Sequence, residues 1–213
     1  MTWVLPTTAL AAGLWLLRAA VHRAILWGLR APRVPHALDA AGLGLPASQV
    51  HTLSLPGRGG ARLHALWLPA TLAAQTQVPA PAVLVMHGWG ANAEMMAPVE
   101  APLHAAGWGV LLLDARCHGR SDDARFSSLP RFAEDLADGL TWLRKQAAVD
   151  ALRLALLGHS VGAAAALLHA ANALIQASGP ISINATGANP LPPAGGAPRW
   201  AVAYKFAPTT ATT

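Results

Sequence analysis

The chain has 213 residues, 54% hydrophobic and 12% charged, with a formal net charge of +5 at pH 7; that length suits one domain with a substantial buried core. Its arginines are scattered, among them Arg18, Arg23, Arg30, Arg33 and Arg58, without runs or interleaved aromatics, so nucleic-acid binding by the core is not expected. The single Cys117 excludes an internal disulfide, and no histidine pair has metal-ligand spacing, so neither a metal nor another cofactor is expected.

Residues 1–30 form a largely apolar opening segment. From Trp3 to Leu17 the run is apolar, and Arg18, His22 and Arg23 then break it. A spanning helix needs about 20 apolar residues. A secretory signal would carry positive charge ahead of its apolar run, and here the charge follows it. At about 100° per residue Leu26 and Leu29 fall among Arg18, His22 and Arg30, which leaves no clean apolar stripe for an interfacial helix. Three readings of residues 3–29 stay open: a short membrane anchor, a helix packed on the domain, and a cleaved signal. The arginines after the run would put an anchored domain on the cytoplasmic face, and an unanchored one is expected in the cytoplasm.

Residues 31–49 carry Pro32, Pro35 and Pro46 and read as a connector. Val50 to Leu55 and Ala61 to Leu68 are strand candidates joined by Pro56-Gly57-Arg58-Gly59-Gly60, a hairpin signal. Thr71 to Pro81 is expected to be a loop. Ala82 to Met86 is a continuous apolar run, as in a strand buried on both faces. Helices are expected over Ala93 to Ala106 and Leu129 to Gln146, and strands over Val110 to Leu113 and Leu152 to Leu157. This alternation predicts an α/β fold over residues 50–177, a mainly parallel sheet with helices on both faces. Residues 178–213 change character: Asn184 to Pro198 is rich in Gly, Pro and Ala where another buried strand would be expected. The sheet is therefore expected to be incomplete at its C-terminal edge, with a poorly ordered tail beyond it.

Three stretches carry chemistry. Gly158-His159-Ser160-Val161-Gly162 lies between the apolar run Leu152 to Leu157 and the alanine- and leucine-rich Ala163 to Leu174. A G-x-S-x-G between strand and helix is the context of a nucleophile elbow, in which the flanking glycines let the turn close and expose the hydroxyl. His87-Gly88-Trp89-Gly90 follows the strand at 82–86, at the end where open α/β sheets bind ligands. It reads either as an oxyanion loop or as an ordinary glycine turn. Asp114-Ala115-Arg116-Cys117-His118-Gly119-Arg120-Ser121 sits at the equivalent end of the next strand. Its charges either bind substrate or fix the loop by hydrogen bonds and an ion pair. His118 is a poor candidate base, because it precedes the serine in the chain.

Together, in this order and spacing, the three stretches resemble the α/β-hydrolase family of serine esterases, lipases and peptidases, with Cys117 where that family more often has glycine. The resemblance covers about Val50 to Ala177. It implies Ser160 as nucleophile and the backbone N–H groups of Val161 and Trp89 as oxyanion hole. His87, Gly88, Asp114, Arg116 and His118 would be the supporting loops, and the substrate a small ester or other acyl compound. The family's acid and base follow the serine. Here no Asp or Glu follows Ser160, and the only later histidine is His169, about 13 Å along the next helix. The chain is therefore expected to be inactive or weakly active, as a truncated hydrolase or as a non-catalytic relative acting by binding. Its last segment, Ala197 to Phe206, resembles part of NAD-dependent DNA ligases, which would place Arg199 and Lys205 at an adenylation site. The same residues also read as a short strand with Val202, Tyr204 and Phe206 on one face.

Overall fold

The computed structural model describes residues 4–76, 78–176 and 201–206. Helix α1 (Val4–Gly28) opens it. Ala and Leu dominate the segment, and its proline, Pro6, lies in the first turn, where a missing N–H costs nothing. Most side chains described along α1 are exposed, with Ala19 and Leu26 half-buried, and none of its most apolar window is buried. Strands β1 (His51–Pro56) and β2 (Arg62–Leu68) form the expected hairpin, in register Leu55 with Leu63. Its turn uses Gly59 and Gly60 at φ 71° and 80°, values that favour glycine.

The stretch expected to be a loop is shorter than its prolines suggested. Helix α2 (Thr71–Thr76) occupies its start, and β3 (Ala80–Met86) begins before Pro81. The expected helix over 93–106 is also divided. A 3-10 turn at Ala93–Val99 contains Pro98, and α3 (Glu100–Ala105) follows. Pro98 cannot donate the hydrogen bond that a continuous α-helix needs at that position. Then come β4 (Gly109–Leu113), α4 (Leu129–Leu143), β5 (Val149–His159), α5 (Val161–Gln176) and β6 (Ala201–Phe206).

The sheet order is β1-β2-β4-β3-β5-β6. β4, β3 and β5 pair in parallel, and the remaining pairings are antiparallel. Four strands thus run one way, with β2 and β6 opposed. Beyond β5 the sheet continues with β6, and no further parallel strand follows among the described residues. Alternation buries both faces, as the unbroken apolar runs predicted. Leu84, Met86, Leu111, Leu113 and Leu156 pack under α4 and α5. Val83, Val85, Val110, Leu112 and Leu157 pack under Ala93, Met96 and the connector's Leu38. Phe132, Leu136 and Leu140 of α4 are fully buried, each stabilising the fold by roughly 1.5–3 kcal/mol. Gly139 allows this close approach: a Cβ there would meet Leu84 Cδ1 at 2.6 Å.

Candidate active site

One residue, Ser160, separates β5 from α5. Its φ is 54°, left-handed backbone that costs a non-glycine residue roughly 1–2 kcal/mol. The neighbouring glycines make the turn obligatory. A Cβ on Gly158 would collide with the backbone of Gly162 and Ala163, and one on Gly162 with the carbonyls of Met86 and His87. The turn is therefore clamped between its own helix and the end of β3. The first turn of α5 closes from Ala164 N–H to the Ser160 carbonyl at 3.1 Å. Ser160 is exposed, at a helix N-terminus whose first N–H groups have no partner inside the helix.

The glycine loop abuts this elbow. A Cβ on Gly88 would lie 3.3 Å from Ser160 Cβ and 3.0 Å from His159 Nδ1. His87, wholly buried, ties the loop down. Its Nε2 accepts Ala115 N–H at 3.0 Å, which leaves the proton on Nδ1, and Nδ1–H donates to the Gly88 carbonyl at 2.7 Å. Ala91 N–H donates to the same oxygen at 3.2 Å. In a planar trans peptide the Trp89 N–H points opposite to the Gly88 carbonyl, so these bonds fix its direction. Burial pushes the His87 pKa down to about 4, with the neighbouring His118 contributing in the same direction. His87 is a neutral strut between β3 and β4.

His118 lies beneath Trp89, with ring centroids 5.7 Å apart, and 5.0 Å from both His87 and Phe132. Its Nδ1–H donates to the Arg116 carbonyl at 2.9 Å, its Nε2 is buried without a partner, and burial lowers its pKa. It supports the loop from inside.

Asp114 is a hub. One carboxylate oxygen accepts Ala93 N–H at 2.7 Å. The other accepts His36 Nε2–H at 2.7 Å, His64 Nδ1–H at 3.1 Å and Arg120 N–H at 2.9 Å. Burial alone would raise its pKa, but these hydrogen bonds outweigh burial and hold the carboxyl well below the usual range. Arg116 pairs with buried Asp135, Nη2 to Oδ1 at 2.6 Å, and with Glu134 at 3.1 Å. Asp114 and Arg116 thus tie the loop down by hydrogen bonds and an ion pair.

Sequence spacing missed His36 and His64, which stand 78 and 50 residues from Asp114. The three form the group close enough to hold a cation among the described residues. His36 Nδ1 accepts Leu38 N–H at 3.2 Å, so its Nε2 carries a proton, and a metal would have to displace the hydrogen bonds to Asp114. Asp135 was missed too, although an acid on the otherwise apolar face of Phe132, Leu136 and Leu140 was a visible signal. His169 is not brought to Ser160. It lines a cavity of about 290 Å³ with Arg58, Pro130 and Glu134, and burial lowers its pKa.

The sequence model of the serine aminopeptidase S33 family matches residues 77–209, more than half of the chain. The chain belongs to that family, within the α/β-hydrolases. Over 87 residues, 41% of this chain and 30% of the relative, the chain is 38% identical to the uncharacterized protein Rv2307c of Mycobacterium tuberculosis. It is 36% identical over 93 residues to the thiohydrolase apmlB of Arthrinium phaeospermum, covering 42% and 30%. Among solved structures it resembles the Pyrococcus furiosus esterase Pf2001, with TM-score 0.56 and 22% identity over 66% of this chain and 50% of that one. The matched part thus spans about a third of the curated relatives and half of the esterase. The match to the esterase establishes the S33 chain's fold.

Proposed function

We propose that this S33-family chain is a serine acyl hydrolase acting on an ester or related acyl substrate, with weak turnover. The observation that carries the reading is the clamped left-handed Ser160 between two glycines that tolerate no Cβ. A fold that bears this strain and exposes the hydroxyl gains no stability from either. The Oγ of Ser160 attacks the acyl carbonyl, and its proton ends on the departing alcohol as the carbon–oxygen bond to that alcohol breaks. Water then opens the acyl-enzyme, releasing the acid and restoring the serine. Val161 N–H, at the start of α5, and Trp89 N–H, aimed by His87, hold the oxyanion.

Weak turnover follows from what surrounds the serine. No carboxylate follows it in the chain, and His169 lies about 13 Å along α5. An oxyanion hole without the full triad leaves roughly 10³-fold catalysis over water. The absence also supports a second reading, a pocket that binds an acyl carbonyl and does not turn it over. A nucleotidyl-transfer reading of the last segment is less well supported: residues 201–206 pair with β5 as a strand, and Arg199 lies outside the described residues. Hydrolysis of short-chain nitrophenyl esters separates the first two. The hydrolase reading predicts a rate about 10³ times the buffer rate, falling at least tenfold in Ser160→Ala. Equal rates in the two proteins favour binding alone.

A further inference from the structure

Helix α1 and the Ser160 elbow are rooted at the same end of the sheet. β3, β4 and β5 are parallel, so His87, Asp114 and Ser160 share one edge. The connector after α1 is pinned to that edge along its length. Ser127 N–H donates to the Leu29 carbonyl at 3.0 Å, and Arg33 Nη1 donates to the carbonyls of Gly119 and Ser121 at 2.6 and 2.8 Å. Asn92 Nδ2 donates to the Val34 carbonyl at 2.9 Å, and His36 reaches Asp114. Pro32 lies so close to the glycine loop that a Cβ on Gly90 would sit 3.0 Å from its Cγ.

The helix is largely exposed along its described side chains. Leu14 is 60% exposed, Trp15 66% and Trp27 75%, and Thr8–Gly28 is long and apolar enough to cross a bilayer. Its charges have one sign and one place. Arg18, Arg23 and Arg30 are exposed in its second half and just beyond, and no acidic residue precedes Asp39. From there arginine side chains can lie along the helix and reach headgroups. Arg120 and Arg125 are exposed on the loop the connector grips, while that loop's acids, Asp122 and Asp123, pair with Arg62 and Arg33. Exposed apolar surface with uncompensated positive charge toward the domain fits an anionic bilayer.

We propose that α1 seats the chain in an anionic lipid bilayer with the Ser160 edge turned toward it, so that the acyl ester reaching Ser160 is one that resides in the bilayer. The substrate class rests on the hydrolase reading; the seating does not.

The test uses the full chain and vesicles of phosphatidylcholine with or without phosphatidylglycerol. The protein should float with the anionic vesicles at least tenfold better than with the neutral ones. Leu14→Glu with Leu17→Glu, both at exposed positions, should cut flotation at least tenfold. A fluorophore on Arg125→Cys, beside the proposed mouth, should be quenched by brominated lipid. The same fluorophore on Lys145→Cys, near the start of β5 at the opposite edge, should not, and Cys117 is buried away from the label. No flotation, equal quenching at the two positions, or self-association through the helix without vesicles would overturn the seating. A fluorogenic long-chain ester held in the vesicles should be cleaved at least tenfold faster by the wild type than by the doubly substituted chain. A short soluble ester should be cleaved equally by both. Equal rates on the vesicle-bound ester overturn the substrate class. No cleavage of either ester overturns the hydrolase reading and the substrate class with it, while quenching still decides the seating.

Discussion

At Ser160 a residue holds a conformation that its side chain disfavours, and two neighbours must lack side chains for it to do so. Ser160→Gly should stabilise the chain by about 1 kcal/mol, because glycine adopts this φ without strain. Gly162→Ala should destabilise it by about 3 kcal/mol, because the backbone of Met86 and His87 occupies the space. Urea titrations of the two variants would check both, and a Ser160→Gly less stable than wild type would contradict the account of strain. His87 makes a second claim. Its folded pKa of about 4 lies below the ordinary 6.5, so between these values the unfolded chain binds the extra proton. The stability from burying it neutral is complete above about pH 6.5 and is lost as pH falls toward 4, on the order of 3 kcal/mol in all. Denaturation midpoints measured from pH 7.5 to 4.5 should fall across that window, and His87→Phe should flatten the fall. Unchanged midpoints in the wild type would count against a neutral buried strut.

Between elements, the loop after β4 is fixed to α4 by the buried pair Arg116 and Asp135. Removing Asp135 leaves Arg116 with the half-exposed Glu134 alone. Asp135→Ala should cost about 3–5 kcal/mol, whereas Arg116→Met with Asp135→Leu should cost far less. A double-mutant cycle in denaturant measures this, and additive losses would show that the two do not act as a pair. The elements differ in how legible they were. The hairpin, β3, β4 and α4 were marked by glycine turns and unbroken apolar runs, signals that local physics enforces. α2 was hidden because Thr71 to Thr76 is one short turn with no apolar period, and Pro98 divided a stretch whose composition alone reads as helix. The elbow was legible because its chemistry lies within five consecutive residues. The Asp114 hub was not, because its partners His36 and His64 are joined to it only by the folded topology.

At the scale of the molecule, an S33-family sheet carries the Ser160 turn and the glycine loop at one edge, and an apolar helix leaves from the same edge. No Asp or Glu follows Ser160 in these 213 residues, and His169 lies further along α5. On the proposed hydrolase reading, the scaffold and the backbone donors supply what activation Ser160 receives. The most direct test of that claim is intact-mass measurement after exposure to a fluorophosphonate, with Ser160→Ala as control. The account predicts a single adduct, mapped to Ser160 by peptide digestion, forming slowly on the wild type and absent from the control. No adduct above the control would show that the elbow does not activate its serine, and would contradict the hydrolase reading of this chain.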